Sequence, residues 1–319
     1  MQEFALIDRL RTRLRSKRLD TCLGIGDDAA LIAPPAGQEL AVTTDTLIAG
    51  RHFPVDTAAF DIGYKAAAVN LSDLAAMGAQ PAWLTLALAA PELSQDWCDA
   101  FIDGVEAGIG PASVDIIGGD TTRGPLTITV TAIGHVPAGR AIRRDGARAG
   151  QLVVVTGTFG DAAYGLSVWP DRMEAPDADR DLLLARLCRP QWRPGVGLIG
   201  YASAAIDVSD GLAADLGHVL AASGIGATIN VDALPTSDAL AQLLPDRAAR
   251  QRLQLSGGDD YELCLTLDEH DLPGARRAMD CPLTVIGRTN TSGALRLVDD
   301  DANSVDRLGD THAGWDHFA

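Results

Sequence analysis

SAAIDVSDGLAADLGHVLAASG, residues 203–224, runs from an apolar stretch through an acidic turn into a helical pattern. Residues 203–208 read as a buried strand and residues 210–222 as a helix. Gly224 closes it, since glycine most readily takes the left-handed conformation at a helix end. Another apolar run at 227–231 reads as a further strand. Strand, acidic turn, helix and strand in that order point to an α/β architecture.

The same alternation extends outward. Upstream, residues 40–46 (LAVTTDT) and 83–89 (WLTLALA) read as strands, and 60–77 as an alanine-rich helix ended by Gly78. Residues 95–109 read as another helix. Strands are expected at 114–117 and 126–136 around a turn GGDTTRG. Residues 151–156 (QLVVVT) restart a strand, GTFGDAAYGL begins a helix, and 170–180 reads as an acidic loop. Strands are expected again at 261–267, 283–287 and 294–298. At the N-terminus, Phe4, Ile7, Leu10 and Leu14 recur at helical spacing over residues 2–18. The stretch 137–150 is rich in glycine, proline and arginine. The boundary is placed there, giving domains 1–140 and 141–319, as a chain of 319 residues exceeds what one core usually supports.

Composition narrows the function. The net charge of −17 repels nucleic-acid backbones, and no basic stripe offsets it. Five cysteines without a C-x-x-C pair argue against a zinc site and fit a reducing compartment. No apolar run is long enough to span a membrane, and the first residues lack the apolar core of a secretory signal. A cytoplasmic protein is expected, with no nucleic-acid or membrane partner.

The aspartates carry the chemistry. They stand at Gly26-Asp27-Asp28, Thr43-Thr44-Asp45, Leu71-Ser72-Asp73, Gly118-Gly119-Asp120, Asp207-Val208-Ser209-Asp210 and Gly257-Gly258-Asp259-Asp260. Most lie just outside apolar segments, where loops of α/β folds bind ligands. Carboxylates converging on one point repel unless a cation intervenes. Mg²⁺, which favours carboxylates, waters and phosphate oxygens, is the natural one. Taken singly, each pair also reads as a turn or a helix cap. Taken together, they point to a metal–phosphate site. His52 reads either as a loop histidine bonded to backbone or as a phosphate contact. Arg143 and Arg144 read as a surface pair or a phosphate-binding spot. Walker A, protein-kinase catalytic-loop and G-x-S-x-G patterns are absent.

The runs LGIGDDAAL (23–31), TTDTLIAGRHF (43–53), YKAAAVNLSDLAAMGAQP (64–81), IIGGDTTRGPL (116–126), IDVSDGLAADL (206–216), SGGDDYEL (256–263) and GWDHF (314–318) resemble bacterial thiamine-monophosphate kinases. These belong to the wider superfamily of aminoimidazole ribonucleotide synthetase. The resemblance implies a two-domain α/β fold with mixed sheets and packed helices, and a homodimer joined through the N-terminal domains. The N-terminal domain would bind metal and nucleotide, and the C-terminal one would complete the ATP and substrate site. The implied activity is ATP-dependent conversion of thiamine phosphate to thiamine diphosphate, with several magnesium ions.

By the same resemblance, Asp28, Asp45, Asp73, Asp120, Asp207 and Asp210 correspond to the metal ligands, with Thr43 and Thr44 adding oxygens. Gly119, Asp120, Arg144 and Ser209 correspond to ATP contacts. His52, Asp259 and Trp315 correspond to substrate contacts, Trp315 by stacking on thiamine's rings or simply by docking the tail. Asp259 departs from the family's usual glutamate and is one methylene shorter. The family's aromatic nucleotide contact falls near residues 101–105 without a definite assignment. No side chain is expected to act as a covalent catalyst. The acceptor is already an ionised phosphate, so direct in-line transfer is the simplest chemistry. Two alternatives are another ATP-dependent enzyme of the superfamily and a non-catalytic nucleotide–metal regulator.

Overall fold

The computed structural model describes residues 12–13, 18–171 and 177–305. Most of the helix expected over 2–18 lies outside the described residues, as does Trp315. The chain divides into two compact units. One comprises the described residues up to Ala75 together with Ala79–Arg140. The other comprises Ala76–Gly78 and the described residues from Ala141 onward.

In the first unit, β1 (Thr21–Leu23) and β2 (Leu31–Ile32) form a small antiparallel pair. Four longer strands follow: β3 (Gln38–Ile48), β4 (Gln80–Ala90), β5 (Asp115–Arg123) and β6 (Thr127–Pro137). They lie in the order β3-β6-β4-β5, antiparallel except for the parallel pair β4–β5. Along β6, Ile128, Val130, Ala132 and Val136 are buried while the alternate residues are half-exposed. This is the pattern of a sheet covered mainly on one face. The helix α1 (Ala59–Ala76) covers that face, with Leu74 against Gly134.

The helix α2 (Gln95–Ile109) makes the crossover between the parallel strands β4 and β5. Ser94 starts it by accepting the Trp97 N–H (3.1 Å). Two glycines let α1 and α2 touch backbone to backbone. A β-carbon at Gly63 would lie 2.1 Å from the Phe101 carbonyl oxygen, and one at Gly104 would lie 1.9 Å from that of Phe60. On the sheet's other face, Ala30 and Ile32 pack against Trp83 and Ile117. Arg18 sits over the Trp83 ring (5.1 Å), and the Thr21 hydroxyl donates to Asp115 (2.7 Å). These contacts fasten the two ends of the short hairpin and so fix the acidic turn between them.

The expected turn GGDTTRG is instead strand: β5 continues through it to Arg123. A bulge in the β4–β5 pairing between Leu84 and Thr85 leaves Ile117 as the extra residue, and Gly118 and Gly119 pair with Thr85 and Leu86.

The second unit holds a six-stranded sheet in the order β12-β9-β11-β7-β10-β8. Its strands are β7 (Leu152–Thr156), β8 (Ala202–Asp207), β9 (Gly226–Asn230), β10 (Leu263–Leu267), β11 (Leu283–Asn290) and β12 (Leu295–Val298). Only β12–β9 is parallel. Central β7 is buried on both faces: Val153 and Val155 enter one core, Leu152 and Val154 the other. Each valine so buried contributes roughly 1.5–3 kcal/mol.

Helices α3 (Asp161–Ser167), α4 (Ala178–Cys188), α5 (Leu212–Ser223), α6 (Asp238–Leu243), α7 (Arg247–Ser256) and α8 (Leu272–Ala278) complete the unit. Part of the acidic stretch expected as loop is the start of α4, capped by Asp177 on the Asp179 and Arg180 N–H groups. Among the described residues no helix is long and apolar enough to cross a membrane.

Candidate functional site

In the first unit, a cavity of about 420 Å³ opens beside the acidic turn. Asp28, Gly119 and Asp120 lie on its lining, with Trp97 and Phe101. The two aromatic rings stack, 5.1 Å apart and 9° from parallel. Asp28 and Asp120 are exposed. The volume suits a small ligand, and the lining joins an apolar wall to acidic and glycine-rich edges. Trp97 and Phe101 stand one helical turn apart. That spacing is a signal for the aromatic wall that the sequence reading left unassigned.

A second cluster lies where α1 meets β3. The Thr43 hydroxyl donates to the Asp73 carboxylate (2.5 Å). One turn earlier, the Asn70 side-chain oxygen accepts the backbone N–H of Asp45 (3.1 Å), while its amide donates to the Ala66 carbonyl (3.0 Å). Thus Asn70 and Asp73 clamp the strand at two points, two residues apart. Thr44 faces the opposite side, paired with the Thr131 hydroxyl (2.8 Å). Strand alternation keeps its side chain away from Thr43 and Asp45.

His52 is held on several sides. Its N–H donates to the Ile48 carbonyl (3.0 Å), and the Ile48 N–H donates to Nδ1 (3.0 Å). Its carbonyl accepts from the buried Lys65 ammonium (3.2 Å). Because Nδ1 accepts, a neutral imidazole carries its proton on Nε2.

In the second unit, Asp207 ends β8 and is buried, while Ser209 and Asp210 follow half-buried. The Asp215 carboxylate, in the first turn of α5, gathers three consecutive backbone donors on Oδ2: Ser209 (3.1 Å), Asp210 (3.0 Å) and Gly211 (3.2 Å). Burial pushes its pKa up to about 7, with the Asp210 charge adding to the rise and the three N–H groups opposing it. The sequence reading passed over Asp215. Its only signal was a carboxylate in the first turn of the expected helix.

The 257–262 loop is laced to this turn. The Asp259 N–H donates to the Ser209 carbonyl and the Tyr261 N–H to that of Val208, both at 2.8 Å. Asp259 and Tyr261 both have positive φ, at 62° and 51°. Asp259, Asp260, Asp161 and Arg186 line a cavity of about 10 Å³. Burial drives the Asp260 carboxyl well above the usual range, helped by the Asp161 charge and opposed by the Gly160 N–H. Beneath them Arg193 grips Glu262 with two bonds of 2.6 Å, and Thr156 adds a third to the same carboxylate (2.7 Å).

Arg144 is exposed and makes no ion pair among the described residues, whereas neighbouring Arg143 is engaged by Asp145 (2.7 Å). Among the described residues no three His, Cys, Asp or Glu side chains form a group ready for a metal. The donors are nonetheless hard oxygens, as Mg²⁺ prefers, and that ion usually takes one or two carboxylates and completes its shell with waters and phosphate.

Residues 26–136 match the family described as AIR synthase related protein, N-terminal domain. The thiamine-monophosphate kinase of Salmonella typhimurium is 48% identical over 99% of this chain and 98% of its own length. The thiamine-monophosphate kinase structure from Stenotrophomonas maltophilia K279a superposes with a TM-score of 0.87 at 49% identity, covering 96% of this chain and 98% of that one. A structure of AaThiL complexed with AMPPCP and TMP gives a TM-score of 0.79 at 31% identity, covering 99% of this chain and 97% of that one.

Proposed function

The chain belongs to the thiamine-monophosphate kinase family, and we infer that it transfers the γ-phosphoryl group of ATP to thiamine phosphate, yielding thiamine diphosphate and ADP. The observation that carries this reading is the cavity in which the stacked Trp97–Phe101 pair faces the same space as Asp28, Gly119 and Asp120. An aromatic wall suits a purine base, and carboxylates beside a glycine backbone suit metal-bound phosphates.

In the first unit, Asp28, Asp45, Asp73 and Asp120 are the residues that would hold magnesium, with the Thr43 hydroxyl and a backbone oxygen of Thr44. In the second, Asp207 and Asp210 do so. Magnesium, when bound, neutralises the phosphate charge that would otherwise oppose transfer. Gly119 offers a backbone approach to the nucleotide, Arg144 a guanidinium with no ion pair among the described residues and Ser209 its hydroxyl. His52 presents Nε2–H to the acceptor phosphate. Asp259 and Trp315 serve the thiamine moiety.

The acceptor oxygen attacks the γ-phosphorus as the bond to the ADP oxygen breaks. The acceptor is already ionised near neutral pH, so no side chain has to remove a proton. Inversion of configuration at a chiral γ-phosphorus is expected, and retention would require two transfers instead.

The chain is proposed to act as a homodimer through its N-terminal sheet. Leu40, Val42 and Ile48 on β3 remain exposed beside the paired threonines 44/131 and 46/129, an apolar and polar stripe suited to a second copy. Sedimentation should give twice the chain mass, and Val42→Glu should halve it. A cytoplasmic location accords with the free cysteines.

The reaction is tested by incubating the purified protein with ATP, magnesium and thiamine phosphate and weighing the product. Thiamine, pyridoxal phosphate and aminoimidazole precursors run in parallel. A mass gain on one of those, with none on thiamine phosphate, would move the chain to a different substrate.

A further inference from the structure

The turn 209–211 must present Ser209 and Asp210 in one fixed arrangement, yet its residues lie in neither β8 nor α5. Its three successive N–H groups all point inward to a single oxygen, Asp215 Oδ2, at 3.0–3.2 Å. The Asp215 side chain is buried, and the Asp215 N–H is itself held by the Gly211 carbonyl (3.0 Å), closing the turn on α5. Gathering the donors inward turns the peptide planes so that the Ser209 carbonyl faces the opposite loop, where it accepts the Asp259 N–H (2.8 Å).

We propose that Asp215 is a positioning residue for phosphoryl transfer: its carboxylate sets the 209–211 turn and, through the Ser209 carbonyl, the backbone at Asp259. The proposal rests on the reading above that Ser209 and Asp210 serve the magnesium nucleotide and Asp259 the thiamine phosphate. Asp215 touches neither ligand. Its role is conveyed through the backbone, so its loss weakens both sites together, although no ligand contact is removed.

The test compares Asp215→Ala, which deletes the acceptor, with Asp215→Asn, which keeps one oxygen in place. Three readouts are taken: amide hydrogen exchange at residues 209–211, calorimetric binding of ATP with magnesium, and KM for each substrate. The alanine variant should exchange these amides at least about tenfold faster, and should weaken magnesium-ATP binding and raise the KM for thiamine phosphate by about tenfold or more. The asparagine variant should stay within about threefold of the parent in all three.

Alanine values within about twofold of the parent for exchange, binding and both KM values would overturn the proposal. So would equal losses in melting temperature for both variants with unchanged kinetics, since that outcome describes a purely structural residue. Where Asp215→Ala does not fold, Asp215→Glu decides: it keeps the charge but displaces the oxygen by one methylene. Weakened magnesium-ATP binding at an unchanged melting temperature supports positioning, and unchanged binding refutes it. Exchange and ATP binding are read without turnover. A parent protein that formed no thiamine diphosphate would therefore remove the assigned reaction while leaving this test intact.

Discussion

The backbone N–H of Asp259 donates to the carbonyl oxygen of Ser209 at 2.8 Å. The loop proposed to meet thiamine phosphate and the turn proposed to meet the nucleotide are thereby one hydrogen-bonded unit. Gly258 lies at the seam with a φ of 71°, and a β-carbon there would stand 2.5 Å from the Ser209 oxygen. Gly258→Ala should therefore cost about 1–3 kcal/mol of stability. It should also raise the KM of both substrates, which steady-state kinetics beside urea denaturation will check.

Trp97 stacks on Phe101 at the cavity wall. Trp97→Ala should raise the KM for ATP about five- to tenfold, the scale of one lost aromatic contact. The KM for thiamine phosphate should stay within about twofold. Equal changes in the two constants would take Trp97 out of the nucleotide site.

Arg193 holds Glu262 by two 2.6 Å bonds, and the Glu262 side chain is 1% exposed. Arg193→Met leaves that buried carboxylate with only the more distant Arg186 (3.9 Å) as a cation and should destabilise the fold by up to about 3–5 kcal/mol. Adding Glu262→Leu should restore a large part of the loss. Chemical denaturation of the two variants measures both effects.

Asp260 titrates well above the ordinary carboxylate range because it is buried near Asp161. Its folded state keeps a proton that the unfolded chain releases near pH 3.9. Stability from this residue is therefore present below about pH 3.9 and lost as pH rises toward the folded value. Asp260→Asn, which still accepts from Gly160, should flatten the pH dependence of the melting temperature above pH 4 and gain most at the alkaline end. A variant as steep as the parent would assign that slope to other groups.

The architecture was readable wherever apolar runs ended at an acidic turn. The strand before Asp207 and the helix ended by Gly224 follow from local pattern alone, as does the helix 95–109. The stretch 118–123 misled because Gly-Gly-Asp-Thr-Thr carries turn residues, while pairing with β4, distant in sequence, makes it strand. Helices α4 and α7 escaped notice because arginines, with aspartates in α4 and glutamines in α7, interrupt their apolar spacing. Among the proposed site residues, Asp73, Asp120 and Asp210 were visible as Ser-Asp and Gly-Asp pairs. Asn70 and Asp215 were not. Asn70 acts on a backbone N–H of a distant strand and Asp215 on those of the turn before its own helix, relations that appear only once the chain has folded.

The bare crossing of Gly63 with Gly104 has a genetic corollary. Even the smallest side chain at either position would prise α1 from α2, and α2 carries both aromatic rings of the cavity. Alleles that lose growth only at elevated temperature should therefore accumulate at this crossing. They would look like nucleotide-binding defects in an assay, although neither glycine lines the cavity.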